Sequence, residues 1–320
     1  MREKLTLGAF LLIAALLLYV GRNLLARSAM VTWALTFAVT TAVAVLGLAL
    51  YRVQQELRQS RHELARRQAE LNFALEVQKA LFPRQFPRDG GLEFAAVCVP
   101  AAGISGDYYD VLELADGRLI FAVADIVGKG ISAAILMSNL HAVLRTLAES
   151  GLTPVEVCAQ LNRHLYRITD TERFATFFYA EWNRAERRLS YINAGHTVPI
   201  LRGSRHGCRL EQGGVPLGIF RDSQFEMGTV SLDPGDLLAL YSDGITEAGA
   251  HRGDPFGESR LAALVESHAA KPLAEIERAV LDAVRRWSGP EPEDDMTLLL
   301  VRATAPEPRE NSTGVQGGAP

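Results

Sequence analysis

FAVADIVGKG, residues 121–130, passes from an apolar run through one carboxylate to two glycines. The apolar run is short and rich in β-forming residues, which predicts a strand, whereas residues 131–137 are rich in good helix formers. Asp125 is therefore expected at the end of a strand, on a turn whose glycines permit positive φ. An Asp in this setting is most often a cap or a turn residue, so its meaning depends on the rest of the chain.

Carboxylates accompany β-like apolar runs at three further places, which are SGDYYD (105–110), YSDGITE (241–247) and EPEDDM (291–296). Four such clusters in one domain predict carboxylates gathered at one rim of a sheet, where like charges repel unless cations neutralise them. Oxygen ligands favour Mg²⁺ or Mn²⁺, and the sequence contains no Cys or His cluster with zinc spacing. The acidic clusters therefore predict a divalent metal site.

In content and in order, these motifs resemble those of the metal-dependent PPM protein phosphatases, specifically their bacterial SpoIIE-like branch. The resemblance runs from about residue 75 to residue 303, and its pieces in order are LFP (81–83), SGDYYD (105–110), ADIVGKG (124–130), NAGH (193–196), PLG (216–218), YSDGITE (241–247) and DDMTL (294–298). It implies an α+β fold, the PPM α-β-β-α sandwich, with metals in a cleft at one end. Two positions depart from the commonest pattern, with Ser105 in place of Gly and Val127 in place of a small polar residue, and neither departure removes a ligand.

The resemblance also implies two divalent cations, Mn²⁺ or Mg²⁺, and a set of ligands for them. Asp125 corresponds to the residue shared between the metals, with the carbonyl of Ile126 as an additional ligand. Asp243 and Asp294 correspond to direct ligands of one metal, and Asp107 to a ligand either directly or through water. Two cations bridged at roughly 3.5–4 Å activate a shared water for in-line attack on a phosphomonoester, so no covalent nucleophile is needed.

Four further polar residues are expected beside the ligands or on the bound phosphate. Asp110 and Glu247 support the ligands or have structural roles. Lys129 lies just before an expected helix, where a phosphate is readily held, and a solvent-facing lysine is the alternative. Asp294, and not Asp295, is expected to be the direct ligand, because the family pattern puts its ligand two residues before the Met.

Three aromatic or imidazole side chains lie within the motifs. His196 in NAGH suggests a general acid, but a turn histidine bonded to the backbone beside the core is the favoured interpretation. For Tyr108 and Tyr109, packing within a strand is the favoured interpretation and catalysis the alternative. None of the three is therefore assigned to the chemistry.

Two long uncharged runs near the N-terminus predict two transmembrane helices within residues 1–51. The first run, residues 5–21, is near the short limit for a spanning helix, and the second, residues 31–51, is long enough. A cleaved signal peptide is the alternative interpretation of the first run. Either interpretation leaves the following chain in the cytoplasm of a bacterial cell, at its inner membrane, as does the positive-inside rule applied to the basic residues Arg52, Arg58, Arg61, Arg66 and Arg67.

Residues 52–82 are predicted to form a cytoplasmic linker. Residues 52–80 contain no Gly or Pro, and Leu57, Leu64 and Leu71 repeat at intervals of seven. The companion core positions are mostly polar, so two alternatives stay open: a solvated spacer helix, or a signalling helix that forms a homodimer through residues 52–80. Pro83 and Pro87 end the helix and begin the globular domain, residues 83–303.

Short β-patterned runs dominate the globular domain, and four helical patterns interrupt them. The predicted strands are 92–99, 108–114, 119–124, 176–182, 189–192, 199–201, 225–231, 236–241 and 297–302. The predicted helices are 131–149, 154–169, 259–267 and 273–287. Short turns between neighbouring strands favour antiparallel pairing and two sheets flanked by helices. Residues 304–320 lack apolar periodicity and are predicted to be a disordered tail.

Composition argues against two classes of protein. The net charge of −4 offers no basis for nucleic-acid binding. Cys98, Cys158 and Cys208 form no CxxC pair, and an odd number of cysteines suits a reducing cytoplasm without a disulfide framework.

Together these features predict a membrane-anchored Ser/Thr protein phosphatase controlled through its N-terminal helices. The resemblance implies a substrate such as a phosphorylated anti-sigma-factor antagonist of the STAS type, within a partner-switching pathway. A pseudophosphatase acting as a membrane-tethered docking module is one alternative, although every ligand Asp is present. A hydrolase of small phosphate esters or nucleotides is another, weakened by the lack of a Walker-type motif.

Overall fold

The structure, a computed structural model, describes residues 12–22, 29–88, 90–101, 103–169, 173–203 and 208–305. The chain divides into two compact units, residues 1–70 and residues 71–320. The first unit contains helix α1 (Leu12–Arg22) and most of helix α2 (Ala29–Lys79). Residues 5–11 of the first predicted membrane run and residues 306–320 of the predicted tail lie outside the described residues.

The predicted membrane run at residues 31–51 and the predicted linker helix form one continuous helix, α2. Residues 48–79 contain neither Gly nor Pro, so nothing in the local sequence interrupts the helical hydrogen bonds. By length and composition α2 could cross a membrane, and none of its most apolar stretch is buried within the protein. The hydroxyls of Thr36 and Thr41 donate to the carbonyls of Thr32 and Phe37 at 2.7 and 2.8 Å, which satisfies these polar groups within the helix, as lipid surroundings require.

The second unit contains the end of α2, ten strands, five α-helices and one short 3₁₀ turn (Ala250–Arg252) among its described residues. The strands are β1 (Leu92–Val99), β2 (Tyr108–Glu113), β3 (Leu119–Ile126), β4 (Ala175–Asn183), β5 (Arg188–Ala194), β6 (Ile200–Arg202), β7 (Gly213–Gly214), β8 (Gly228–Ser231), β9 (Leu237–Tyr241) and β10 (Met296–Ala303). The helices are α3 (Ile131–Ala148), α4 (Pro154–Ile168), α5 (Asp243–Thr246), α6 (Glu258–His268) and α7 (Leu273–Ser288).

Two sheets form the centre of this unit. The first has the strand order β1-β10-β9-β6, and the second has the order β2-β3-β4-β5-β7, with β8 also pairing with β5. All neighbours are antiparallel except β5 and β7. β4 holds β3 along its full length, from Leu119 opposite Trp182 to Ile126 opposite Ala175.

Three apolar layers hold the elements together. Leu140 of α3 and Leu161 of α4 are buried against the second sheet. Phe121 and Leu299 belong to the layer between the two sheets, and Val280 of α7 belongs to the layer that covers the first sheet. The order helix, sheet, sheet, helix confirms the predicted α-β-β-α sandwich.

Local sequence explains where the two helices on the second sheet begin. Gly130 has φ of 74°, a conformation that favours glycine, and α3 starts at the next residue. Thr153 and Glu156 form a reciprocal capping box at the start of α4, with Pro154 in the first turn. Both helices therefore have defined starts close to loops of the second sheet.

Several element boundaries differ from the predicted ones. β3 was expected to end at residue 124 but continues through Asp125 to Ile126, because β4 pairs with these residues too. The expected strand at 225–231 is restricted to Gly228–Ser231, the part that pairs with β5. The short elements β7 and α5 were not predicted, since a Gly-Gly pair and a four-residue turn carry no periodic signal.

Candidate metal centre

The pairing of β2 with β3 brings Asp107 and Asp125 side by side. Tyr108 lies opposite Ala124 in the antiparallel register, so the residues one step further along, Asp107 and Asp125, face each other at the end of the ladder. Asp107 is 1% exposed, whereas Asp125 is partly exposed. Two carboxylates therefore share one end of the second sheet.

The first sheet supplies two more carboxylates. Asp243 is the first residue of α5, directly after β9, and Asp294 lies two residues before β10, which pairs with β9. The hydroxyl of Ser242 joins the two loops, because it donates to the carbonyl of Asp295 at 3.1 Å and accepts the N–H of Thr297 at 2.8 Å. Asp243 and Asp294 are thereby held on neighbouring loops.

The pKa shifts link these four carboxylates electrostatically. Burial, followed by the charge of Asp125, raises the pKa of Asp107 well above its usual value. Burial, followed by the charges of Asp243 and Asp294, raises the pKa of Asp125 to about 6. Burial and then the charge of Asp294 raise the pKa of Asp243. The structure thus brings the four predicted Asp ligands together, two from each sheet.

The chemistry of the cluster fits a hard divalent cation. Its carboxylate oxygens are the donors that such an ion prefers, and Asp107 Oδ2 is buried without a hydrogen-bond partner among the described residues. The described residues nevertheless include no group of three Asp, Glu, His or Cys side chains already placed to hold one ion. One of the four carboxylates, Asp294, has its Oδ1 3.1 Å from Nζ of Lys129. The Lys129 ammonium thus neutralises part of the charge of Asp294 and competes with a cation for its Oδ1.

Lys129 lies in the loop before α3 rather than in its first turn. Its Nζ donates to the carbonyl of Glu293 at 3.1 Å, in addition to its ion pair with Asp294. The ammonium group thus bridges the β3–α3 loop to the loop before β10, although more than half of the side chain is exposed. This position allows it to reach either a carboxylate or an anionic group bound beside it.

Gly106 lets the Asp107 loop pass close to the carbonyl of Ile126, the remaining predicted ligand. A Cβ at position 106 would lie 2.9 Å from Ile126 O and 3.2 Å from the Cβ of Ala133. Because backbone cannot move aside easily, any larger residue would push the loop away. The glycine of the SGD motif is therefore required for close packing between the two strand ends.

Gln78, at the end of α2, holds the residue before Gly106. Its side chain is 4% exposed, Nε2 donates to the carbonyl of Ser105 at 2.6 Å, and Oε1 accepts the Ser105 N–H at 3.0 Å. The Ser105 hydroxyl in turn accepts the N–H of Asp107 at 3.0 Å. The chain of contacts from α2 to Asp107 was not predicted, and the only sequence signal was Ser105 in place of the usual Gly.

Asp295 also supports this loop. Its Oδ1 accepts the N–H of Ala101 at 2.8 Å, and its Oδ2 accepts the N–H of Gly106 at 2.7 Å. Both oxygens are thus engaged by backbone donors, while the neighbouring Asp294 faces Lys129. The two adjacent carboxylates therefore lie in different surroundings, Asp295 toward the loop and Asp294 toward the cluster.

Asp110 lies on β2, away from the four-carboxylate cluster, in an ion pair whose carboxylate is buried and whose arginine is partly exposed. Its oxygens accept from Nε and Nη2 of Arg145 at 2.8 and 2.9 Å, from the hydroxyl of Tyr108 at 2.8 Å and from the N–H of Val111 at 2.9 Å. The contact between Arg145 and Asp110 was not predicted, because the residues four positions away from Arg145 on α3 do not indicate a partner on β2. Glu247, by contrast, is exposed at the end of α5.

His196, the last residue of the NAGH motif, is buried in the core. Its N–H donates to Oδ1 of Asn193 at 2.8 Å, and its Nδ1 lies 2.8 Å from the hydroxyl of Thr176. Burial lowers the pKa of His196 to about 4, so the ring is neutral at pH 7. At Gly195, with φ of 70°, a Cβ would lie 2.5 Å from the ring of Pro216, so the NAGH and PLG motifs pack directly on each other.

The two tyrosines of the SGDYYD motif pack within the core. Tyr108 is fully buried beneath α3, with its ring edge-on to His141, and the ring of Tyr109 stacks on Phe82 at a centroid distance of 4.8 Å. Phe82 belongs to the LFP motif, so this stacking joins two of the motifs. Both tyrosines therefore have packing partners rather than positions in the carboxylate cluster.

Comparison with known protein families identifies the family of this chain. The family model described as Stage II sporulation protein E (SpoIIE) matches residues 115–304, more than half of the chain. The chain belongs to the SpoIIE family. The resemblance to the SpoIIE-like branch of the PPM phosphatases is thereby confirmed.

SpoIIE-family relatives extend the match beyond the family model. The phosphoserine phosphatase RsbU of Bacillus subtilis (strain 168) is 32% identical over 254 residues, which covers 79% of this chain and 74% of RsbU. The phosphoserine phosphatase RsbP of the same organism is 27% identical over 240 residues, covering 72% of this chain and 57% of RsbP. The crystal structure of the RsbU and RsbW domains of Rv1364c from Mycobacterium tuberculosis shares 30% identity with a TM-score of 0.60, covering 68% of this chain and 61% of that one.

Membership of the SpoIIE family decides the class of the protein. The chain has the fold of the PP2C-type protein phosphatases, and the predicted class, a Ser/Thr protein phosphatase, is confirmed. Phosphatases of this type are metal-dependent, in agreement with the donor set of the carboxylate cluster. The chain spans less than two thirds of RsbP and of the Mycobacterium tuberculosis chain.

Proposed function

We propose that this protein is a membrane-anchored phosphatase that hydrolyses phosphoserine or phosphothreonine on an anti-sigma-factor antagonist of the STAS type in a partner-switching pathway. The observation that carries the proposal is the convergence of Asp107, Asp125, Asp243 and Asp294 from two sheets. The names of RsbU and RsbP, both phosphoserine phosphatases, support phosphoserine as the substrate group.

Asp107, Asp125, Asp243, Asp294 and the carbonyl of Ile126 are the proposed holders of two divalent cations, Mn²⁺ or Mg²⁺. When bound, these cations supply positive charge for the phosphate oxygens and an activated water. Without a cation the carboxylates repel a phosphate, as their mutual effect on pKa indicates. The cluster therefore admits an anionic substrate only after its own charge has been neutralised.

The neighbouring residues have distinct proposed roles. Lys129, freed from Asp294, is placed to hold a phosphate oxygen with its ammonium group. Asp295 and Gln78 position the loop that carries Asp107. Asp110 stabilises the contact between β2 and α3 through Arg145, and Glu247 remains at the surface of this region.

The N-terminal helices are proposed to anchor the enzyme in the cytoplasmic membrane of a bacterial cell. α2 is apolar enough to cross a bilayer, and the arginines that follow its apolar part support a cytoplasmic location for the second unit. Pairing of residues 52–80 in a homodimer is the proposed route of control, because α2 ends in the contact between Gln78 and Ser105. A fragment starting at residue 81 lacks Gln78, so equal metal affinity and turnover in fragments starting at residues 52 and 81 would refute this route.

The test of function is phosphate release by residues 52–303 from a phosphoserine STAS-type protein, with and without Mn²⁺. We expect Mn²⁺-dependent release that is abolished by Asp243→Ala and retained by Glu275→Ala, which removes an exposed carboxylate on α7. Metal binding without release from any phosphoprotein would support a docking module instead. Release from small esters alone would support the small-ester hydrolase.

A further inference from the structure

α3 carries exposed large apolar side chains on its first two turns. Ile131 is 55% exposed and Ile135 is 63% exposed, and Val127, four residues before Ile131, is 36% exposed. Residues 131–140 contain no charged side chain. Positions four apart share one face of a helix, so Ile131 and Ile135 form a continuous apolar strip.

α4 extends this strip across the helix pair. Oδ1 of Asn139 on α3 lies 2.5 Å from Nε2 of His164 on α4, and the short connection between the helices makes them antiparallel. One turn beyond this contact, toward the start of α3, α4 reaches Ile168, which is 45% exposed. We call these four side chains the apolar rim: Val127, Ile131, Ile135 and Ile168.

The helical layer on the first sheet has no comparable surface. In the described stretch from residue 228 to residue 305, which includes α6 and α7, no large apolar side chain is exposed. Large apolar side chains are therefore left uncovered on the α3–α4 side and buried on the α6–α7 side. Apolar side chains grouped on one surface mark an interaction site, whereas scattered ones do not.

The apolar rim borders the metal centre. Val127 lies two residues after Asp125, and its N–H donates to the carbonyl of Phe174 at 2.9 Å, which holds the loop beside the end of β3. Nζ of Lys129, in the same loop, lies 3.1 Å from Oδ1 of Asp294. A folded protein that brings a phosphorylated side chain to these carboxylates therefore approaches the Val127 end of the rim.

We propose that the apolar rim docks the folded phosphoprotein substrate, which packs an apolar patch beside its phosphoserine against Ile131 and Ile135. This inference rests on the proposed function. The metal centre recognises a phosphate, which all phosphoproteins share, so selection among proteins requires contacts outside it. Burial of large apolar side chains provides such contacts, because each contributes favourable free energy only when a complementary surface covers it.

The test compares a protein substrate with a small one, using the full-length chain in detergent with Mn²⁺. The substrates are a phosphoserine STAS-type protein and p-nitrophenyl phosphate. For Ile131→Asp and Ile135→Asp we expect kcat/KM on the phosphoprotein to fall at least tenfold more than kcat/KM on the small ester, mainly through KM. Ala142→Asp is the matched control, because Ala142 is exposed on the same helix about 10 Å beyond Ile135, and it should retain both rates.

Four results would overturn the docking proposal. Equal losses on both substrates would show that the substitutions act through the metal centre, and unchanged rates on both would show that the rim contacts nothing. Loss of self-association in sedimentation, with kcat/KM on the phosphoprotein intact, would assign the rim to a second copy of the chain. A wild-type protein active only on the small ester would refute the proposed function, and with it the docking of that substrate.

Discussion

Replacing Asp125 by Asn should stabilise the metal-free protein while removing its response to Mn²⁺. Asp125 is partly buried, and burial together with Asp243 and Asp294 raises its pKa from 3.8 to about 6. The folded state therefore holds the proton of Asp125 more tightly than the unfolded state does. The resulting cost to stability is absent below pH 3.8, grows as the pH rises to about 6, and is fully present above that pH.

The size of the effect follows from the shift in pKa. The difference between 3.8 and about 6 corresponds to an upper limit of about 3 kcal/mol at pH 8. Because Asp125 is partly exposed, solvent screens its interaction with the neighbouring carboxylates. We therefore expect Asp125→Asn to raise the unfolding free energy by about 2 kcal/mol at pH 8 and by about 1 kcal/mol at pH 5. Asn keeps the size of the side chain, so packing at the end of β3 is preserved.

The measurement is urea unfolding of a fragment starting at residue 71, the beginning of the second compact unit, in EDTA at pH 5 and pH 8. A parallel series with Mn²⁺ should raise the unfolding free energy of the wild type and leave that of the variant unchanged. A variant less stable than the wild type at pH 8 would refute the reasoning. So would a difference of the same size at both pH values.

Three other predictions concern residues around this cluster. Arg145→Ala leaves the carboxylate of Asp110 buried without its ion pair and should lower the unfolding free energy by about 3 kcal/mol, with Mn²⁺ affinity unchanged. A loss near zero in urea unfolding would show that the pair does not stabilise the fold. Burial lowers the pKa of His196 to about 4, so its contribution to the unfolding free energy should be complete above pH 6.5 and fall by up to about 3 kcal/mol as the pH drops toward 4. His196→Gln should reduce this dependence of the unfolding free energy on pH in acid unfolding. An unchanged dependence would contradict a buried, neutral His196. Lys129→Ala removes the competitor for Asp294 and should tighten Mn²⁺ binding about twofold to fivefold in calorimetric titration, whereas weaker binding would show that Lys129 supports the metal-bound state.

Much of the architecture could be predicted from local pattern. The run that became β9 is a continuous apolar segment, and those that became β1 and β3 are apolar except for one carboxylate each. The capping box of α4 is visible in the sequence as Thr153 and Glu156. The carboxylates at strand ends could be grouped in advance, because antiparallel neighbours place their ends at a common edge. Local pattern failed at β7 and α5, which exist only because other segments lie beside them.

By itself, the sequence determined the family motifs, the strands and helices that carry them, and the four Asp residues beside the ends of those strands, because these depend on residue type and short spacing. Only the tertiary structure decided which neighbours those residues have. Gln78 contacts Ser105 from 27 residues away, and Arg145 contacts Asp110 from 35 residues away. No periodic pattern specifies such contacts, because they depend on how complete helices pack against the sheets, and they decide which carboxylates are available to a cation and which are held within the fold.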